Sequence, residues 1–410
     1  MTENKWMKLD NAAKIYPAFA HKYDPATFRV AVVMEHTIIP ECLQRALDAT
    51  LPYFPSMAVT LRRGLFWAYL DENPKQCIIS EEKKMPCTYI NLSRSNGYLF
   101  NVYYYEKRIS LECFHALTDG YGAFEFLKVI LYRYLKELAD VSSDHLRLMG
   151  NTEENLRDGY KYFSNDTKYK QKKKRVKHIT GTHIHTEGVL VNHALLSAST
   201  LKRTAKTFNT TITILLTALY IQSIFAIRKS GPIAIAVPVN LRKIFKTDTL
   251  RNFVYVMNIV IELNLHLEEL IPLIDKQFKE QIKPDNLQAQ FSQNVSFEEL
   301  FFMRVMPNIL KSFLLKQART VKMKSITTSV LTNPGIVTLP ESMMPYIKHF
   351  EMLLYASKPH NINMGIVTYN NKLVISLSRC IEERDVIDYF FKLLKDITDD
   401  DIFIYSNEGE

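Results

Sequence analysis

What is scarce in this 410-residue chain narrows the field first. It has five cysteines, Cys42, Cys77, Cys87, Cys113 and Cys380, and no two of them form a CxxC pair. Neither a zinc site nor a disulfide framework is indicated, and an odd, scattered set of thiols fits a reducing, cytoplasmic setting. Glycine is low at 12 residues against 47% hydrophobic content, which excludes fibrous and low-complexity classes. The opening MTENKWMKLD has no apolar run, so no secretory signal peptide is expected. Long apolar runs are also wanting. Residues 207 to 227 carry no charge, but Asn209, Thr210, Thr211, Thr213, Thr217, Gln222 and Ser223 mark them as a buried core helix rather than a membrane span. Acids are absent from residues 168 to 177, where seven of ten residues are basic. That one run accounts for most of the formal charge of +9. With no interleaved aromatics, nucleic acid is not expected as a partner; a solvated surface loop is the expected fate of the run, with contact to a phosphorylated ligand or an anionic surface as the alternative.

What is present is the alternation of an α/β protein. Residues 28 to 36 read as a strand, and 40 to 51 as a helix whose apolar stripe is Cys42, Leu43, Ala46, Leu47 and Leu51. Asn96-Gly97 predicts a hairpin joining a strand near 87 to 92 to one at 98 to 105. Residues 108 to 115 follow as a strand and 122 to 138 as a helix. A second block of strands and helices begins at 183 and closes with a helix at 382 to 397. The length favours two domains. The expected division is 1–150, a linker with the basic loop at 151–182, and 183–410, each domain a mixed sheet flanked by helices.

Between the fourth strand region and the long helix stands CFHALTDGYG, residues 113 to 122. Leu111, Cys113 and His115 share one strand face because side chains alternate. The chain then turns, bringing Asp119 back near His115, with Gly120 and Gly122 expected to relax the bend into the helix. Histidine titrates near neutrality, so His115 is a candidate general base, and Asp119 either acts on the imidazole or locks its loop. Cys113 reads as a small strand-filling residue rather than a nucleophile. His183 and His185 alternate on a strand without a carboxylate or cysteine to complete a metal site, so no metal is expected.

The stretch FHALTDGYGAFEFL resembles the HxxxDG motif of the two-domain acyltransferase superfamily that shares the chloramphenicol acetyltransferase fold. This family includes alcohol acetyltransferases, polyketide-associated acyltransferases and the condensation domains of peptide synthetases. Two further segments resemble it in order: VPVNLRKIFKTDTLRNF at 237 to 253 and LTNPGIVTLP at 331 to 340. Phe114 stands where many members carry a first histidine, and the plant DFGWG motif is absent, which leaves the bacterial alcohol-acetyltransferase style as most similar.

The resemblance implies an active site in a tunnel between the domains. There His115 deprotonates a small-molecule alcohol or similar acceptor, which attacks an acyl-coenzyme A thioester directly. It implies no cofactor, since coenzyme A enters as substrate. It also implies that Asp119 is structural and pairs with an arginine, for which Arg62 is the expected partner and Arg63 and Arg251 are alternatives. Thr328, Thr332 and Asn333 are the candidate oxyanion or channel residues. A carrier-protein-bound acyl donor, or a non-catalytic ligand-binding role, are the alternative readings.

Overall fold

The strand Thr27–Met34 is buried along nearly its whole length, as expected of a central strand covered on both faces. It pairs antiparallel with Arg108–Phe114 on one side and with Ile347–Leu354 on the other. Phe100–Tyr105 and the short Ser80–Glu81 complete a five-stranded sheet. The computed structural model describes residues 6–167, 174–228, 231–319, 326–399 and 401–408. The basic run therefore lies outside the described residues from 168 to 173.

A second, seven-stranded sheet takes the order Val254–Ile261, Ile233–Asn240, Ser329–Thr332, Ile362–Tyr369, Lys372–Arg379, Leu190–Ser197, Phe403–Ser406. It is mixed, because Ser329–Thr332 runs parallel to both neighbours. The helices Ile212–Arg228, Leu267–Gln281 and Asp385–Ile397 bury their apolar residues in this sheet's core. Pro40–Thr50 and Gly120–Lys136 do so for the first sheet. A small antiparallel sheet of Met7–Lys8, Ala68–Glu72 and Val59–Arg63 stands apart, and the molecule is an α/β fold built on two large mixed sheets, each flanked by helices.

The polar residues of the uncharged stretch are reconciled inside its helix. Thr217 and Ser223 each donate to the carbonyl four residues back, at 2.7 Å, so these two hydroxyls are paired within the helix itself. Tyr220 reaches Ser329 Oγ at 2.8 Å. Among the described residues no single helix is long and apolar enough to cross a membrane.

Two expectations are corrected here. No strand forms at 87 to 92. The amides of Cys87 and Thr88 donate instead to the buried Glu112 carboxylate, at 2.6 and 3.1 Å, which also holds Arg29 at 2.9 Å. Asn96-Gly97 is a positive-φ turn leading into Phe100–Tyr105, and the hairpin is the next turn, where Phe100–Tyr105 meets Arg108–Phe114. Second, Ile347–Leu354, expected with the C-terminal part of the chain, is hydrogen-bonded into the first sheet. It abuts the second sheet at Gly365, where a Cβ would lie 2.1 Å from Met352 O; only glycine lets the backbones approach so closely.

Candidate active site

Asp119 takes an extended backbone conformation and caps the helix Gly120–Lys136, its Oδ1 accepting from the amides of Tyr121 and Gly122 at 3.1 and 3.3 Å. An aspartate at this position satisfies two of the orphan amides of the first turn. The same carboxylate accepts from Phe253 N at 2.8 Å and pairs with Arg242, whose Nη2 stands 3.1 and 2.9 Å from its two oxygens. Both side chains are almost fully buried.

Arg242 is itself held on every side. It donates to Thr249 O at 2.7 Å and to Asn240 Oδ1 at 3.2 Å, also bonds Arg251 O, and lies 4.5 Å over the Tyr121 ring. The partner expected for Asp119, Arg62, is elsewhere. It sits on a strand of a small three-stranded sheet, 59% exposed, 3.4 Å from Asp71. Arg63 is on the same exposed strand. Arg251 is directed to Asp10 at 3.8 Å and to the carbonyls of Lys8 and Leu156.

His115 is placed by its backbone and by two rings. Its amide donates to Ala26 O at 2.9 Å and its carbonyl accepts from Asn252 Nδ2 at 3.0 Å. That same amide nitrogen of Asn252 reaches Asp10 at 3.1 Å. Tyr16 stacks on the imidazole at 5.0 Å with the planes 10° apart, and Phe28 meets it tilted at 4.7 Å. Nδ1 is buried and has no hydrogen-bond partner among the described residues, while the residue as a whole keeps partial exposure. Burial lowers the imidazole pKa below its ordinary value, and the Asp119 charge, the Asn252 side chain and the residue's own carbonyl offset this only in part. The shift favours the neutral ring.

The two glycines serve contact rather than bending. Neither has a positive φ. A Cβ on Gly120 would meet only the flexible Met352 methyl, at 2.9 Å. A Cβ on Gly122 would lie 2.2 Å from both Leu250 O and Thr118 Oγ1, the two atoms of a 2.6 Å hydrogen bond. Gly122→Ala is accordingly expected to destabilise the fold by about 1–3 kcal/mol through overpacking, read from the midpoint of a denaturant titration, with Gly120→Ala much milder.

Of the candidate oxyanion donors, two are corrected. Thr328 donates to Lys177 O at 2.6 Å and accepts from Ala234 N at 3.0 Å, fully buried within the second sheet. Asn333 donates to Thr213 Oγ1 and accepts from Gly335 N, both at 3.0 Å. Both are already engaged. Thr332 lies opposite Gly365, the glycine that touches Met352, and its hydroxyl makes no hydrogen bond among the described residues. Cys113 is wholly buried, and burial pushes its thiol well up, as suits a strand filler.

Sequence reasoning missed Tyr16, Asn252 and Arg242. The last two lie in the segments PVNLR and RNF that carry the family resemblance, so that signal was available. Nothing local to Tyr16 announces a contact with residue 115.

No model of a known protein family matches the sequence, and no curated protein does. Solved structures do match its fold along nearly the whole chain. Polyketide synthase associated protein 5 from Mycobacterium tuberculosis is 14% identical with a TM-score of 0.60, covering 96% of this chain and 98% of that one. A trichothecene 15-O-acetyltransferase from Fusarium sporotrichioides is 12% identical at TM-score 0.60, covering 95% and 94%. A starter condensation domain of rhizomide synthetase, in complex with C8-CoA and Leu-SNAC, is 12% identical at TM-score 0.60, covering 96% and 94%. The chain therefore has the two-domain fold of chloramphenicol acetyltransferase-like acyltransferases and condensation domains.

Proposed function

We propose that this chain is an acyltransferase that moves an acyl group from a coenzyme A thioester to an alcohol or similar nucleophile, with His115 as general base. The observation that carries the reading is an imidazole with one nitrogen sealed in the protein, its pKa lowered by burial, on a loop clamped by Asp119 and Arg242. With Nδ1 buried, Nε2 is the nitrogen that serves the acceptor. As the acceptor hydroxyl loses its proton to Nε2, its oxygen attacks the thioester carbonyl carbon, and the carbonyl becomes an oxyanion. The oxyanion collapses, the carbon–sulfur bond breaks, and the departing thiolate takes the proton back from the imidazolium. No covalent enzyme intermediate is needed. Thr332 is the remaining candidate to donate to the oxyanion.

The condensation domain of similar fold bound to C8-CoA supports a coenzyme A donor. The five cysteines, all buried and unpaired, support a cytoplasmic setting. The test is release of free thiol from short- and medium-chain acyl-coenzyme A in the presence of a panel of alcohols and amines. Turnover with an acylated carrier protein alone would reassign the donor. Lack of turnover with either would end the reading. The pH profile adds a second check. Because burial lowers the His115 pKa, the base stays unprotonated below ordinary imidazole values. The acid limb of kcat/KM should fall with a midpoint below about 6.5; a midpoint above that value would contradict the site's electrostatics.

A further inference from the structure

The helix Asn308–Ala318 is built inside out. Lys311 points inward, only 1% exposed, with its Nζ 2.8 Å from Phe66 O and 3.4 Å over the Trp67 ring. Ile309, Phe313 and Leu314 point outward, Ile309 at 88% exposure. The preceding helix Phe301–Val305 does the same, burying Met303 and exposing Phe301 at 79% together with Val305. The polar side of this face is fastened to the turn that ends the strand Val59–Arg63. Asn308 N donates to Leu65 O at 2.7 Å, and Leu65 itself is exposed. Isolated exposed apolar residues are ordinary, but a cluster of large ones on two successive helices marks an interaction site.

Charge identifies the occupant. On these two helices Arg304 and Lys316 are exposed beside the apolar face, and no acid occurs between Leu300 and Arg319. Two copies of this chain meeting about a two-fold axis would set basic rim against basic rim. A membrane surface with anionic headgroups accepts both components, the apolar side chains at the acyl boundary and the cations at the phosphates.

We propose that the face formed by Phe301–Val305 and Asn308–Ala318 docks the protein peripherally on an anionic lipid bilayer. The face adjoins the site. Arg319, just beyond the second helix, lies 3.3 Å over the Phe19 ring and bonds Asp24 and the Tyr355 hydroxyl, and Phe19 shares a helix with Tyr16, which stacks on His115. Resting on the acyl-transfer reading, this places a bilayer-borne acyl chain or acceptor close to the imidazole.

The test is flotation of the full chain with phosphatidylcholine vesicles, with and without about 30% phosphatidylglycerol, at low and high salt. The expected result is partitioning at least about tenfold stronger onto the anionic vesicles, reduced by salt. The Ile309→Asp/Phe313→Asp variant should lose at least about tenfold, and Lys316→Glu a smaller factor. Both changes lie on exposed positions, and circular dichroism should report an intact fold. His115→Ala should float as the unaltered protein does, so vesicle binding and acyl transfer can fail separately. Wild-type protein that ignores anionic vesicles, or an Ile309→Asp/Phe313→Asp variant that binds them unchanged, would overturn the proposal. So would a wild-type dimer that the double variant converts to monomer without any vesicle binding, since that would assign the face to a second copy.

Discussion

Replacing His115 with alanine is expected to lower thioester turnover by about two to four orders of magnitude, the usual contribution of a positioned general base. The fold should survive. The His115 side chain makes ring contacts with Tyr16 and Phe28, and its buried Nδ1 has no hydrogen-bond partner among the described residues. Its removal therefore gives up stacking while relieving a desolvated nitrogen. The backbone bonds to Ala26 and Asn252 that shape the loop do not involve the side chain. The check is kcat alongside a thermal melt. A variant that melts like the parent and turns over like the parent would remove His115 from the chemistry, whereas a variant that loses only kcat assigns it there.

Arg242→Met is expected to act through stability first, at about 3–5 kcal/mol, the range seen when one member of a buried ion pair is removed. It leaves the Asp119 carboxylate buried without its counterion, and it strips donors from the carbonyls of Thr249 and Arg251. The helix cap at Tyr121 and Gly122 and the bond from Phe253 N remain, so the loop should loosen rather than vanish. The double variant Asp119→Asn/Arg242→Met should cost less than the sum of the single changes, because no unpaired charge is left. Denaturant titration of the three variants reads the coupling directly. Additive losses would mean that the pair is incidental to the loop.

Much of this was legible in the chain, and for identifiable reasons. The helix Ile212–Arg228 could be read because its threonines and serine are of the kind that bond back to their own backbone. His115 and Asp119 could be read because strand, turn, cap and helix are local events within a few residues. The partner of Asp119 could not, since Arg62, Arg63, Arg242 and Arg251 are chemically alike and only tertiary packing selects one of them. The hairpin at Asn96-Gly97 misled because a buried carboxylate, Glu112, takes the amides that a ladder would have used. The Tyr16 stack joins residues 99 positions apart in sequence, which no local pattern encodes.

The strand Ile347–Leu354 stitches a late part of the chain into the early sheet, paired antiparallel with Phe28–Met34 across one irregularity at Ile347/His349 and pressed against Gly365 of the other sheet. Parting the two lobes like a clamshell would tear that seam, so the sheets are expected to move together as one body. The two halves, produced as separate polypeptides cut near residue 180, should each be left with a raw edge and should regain solubility only when mixed.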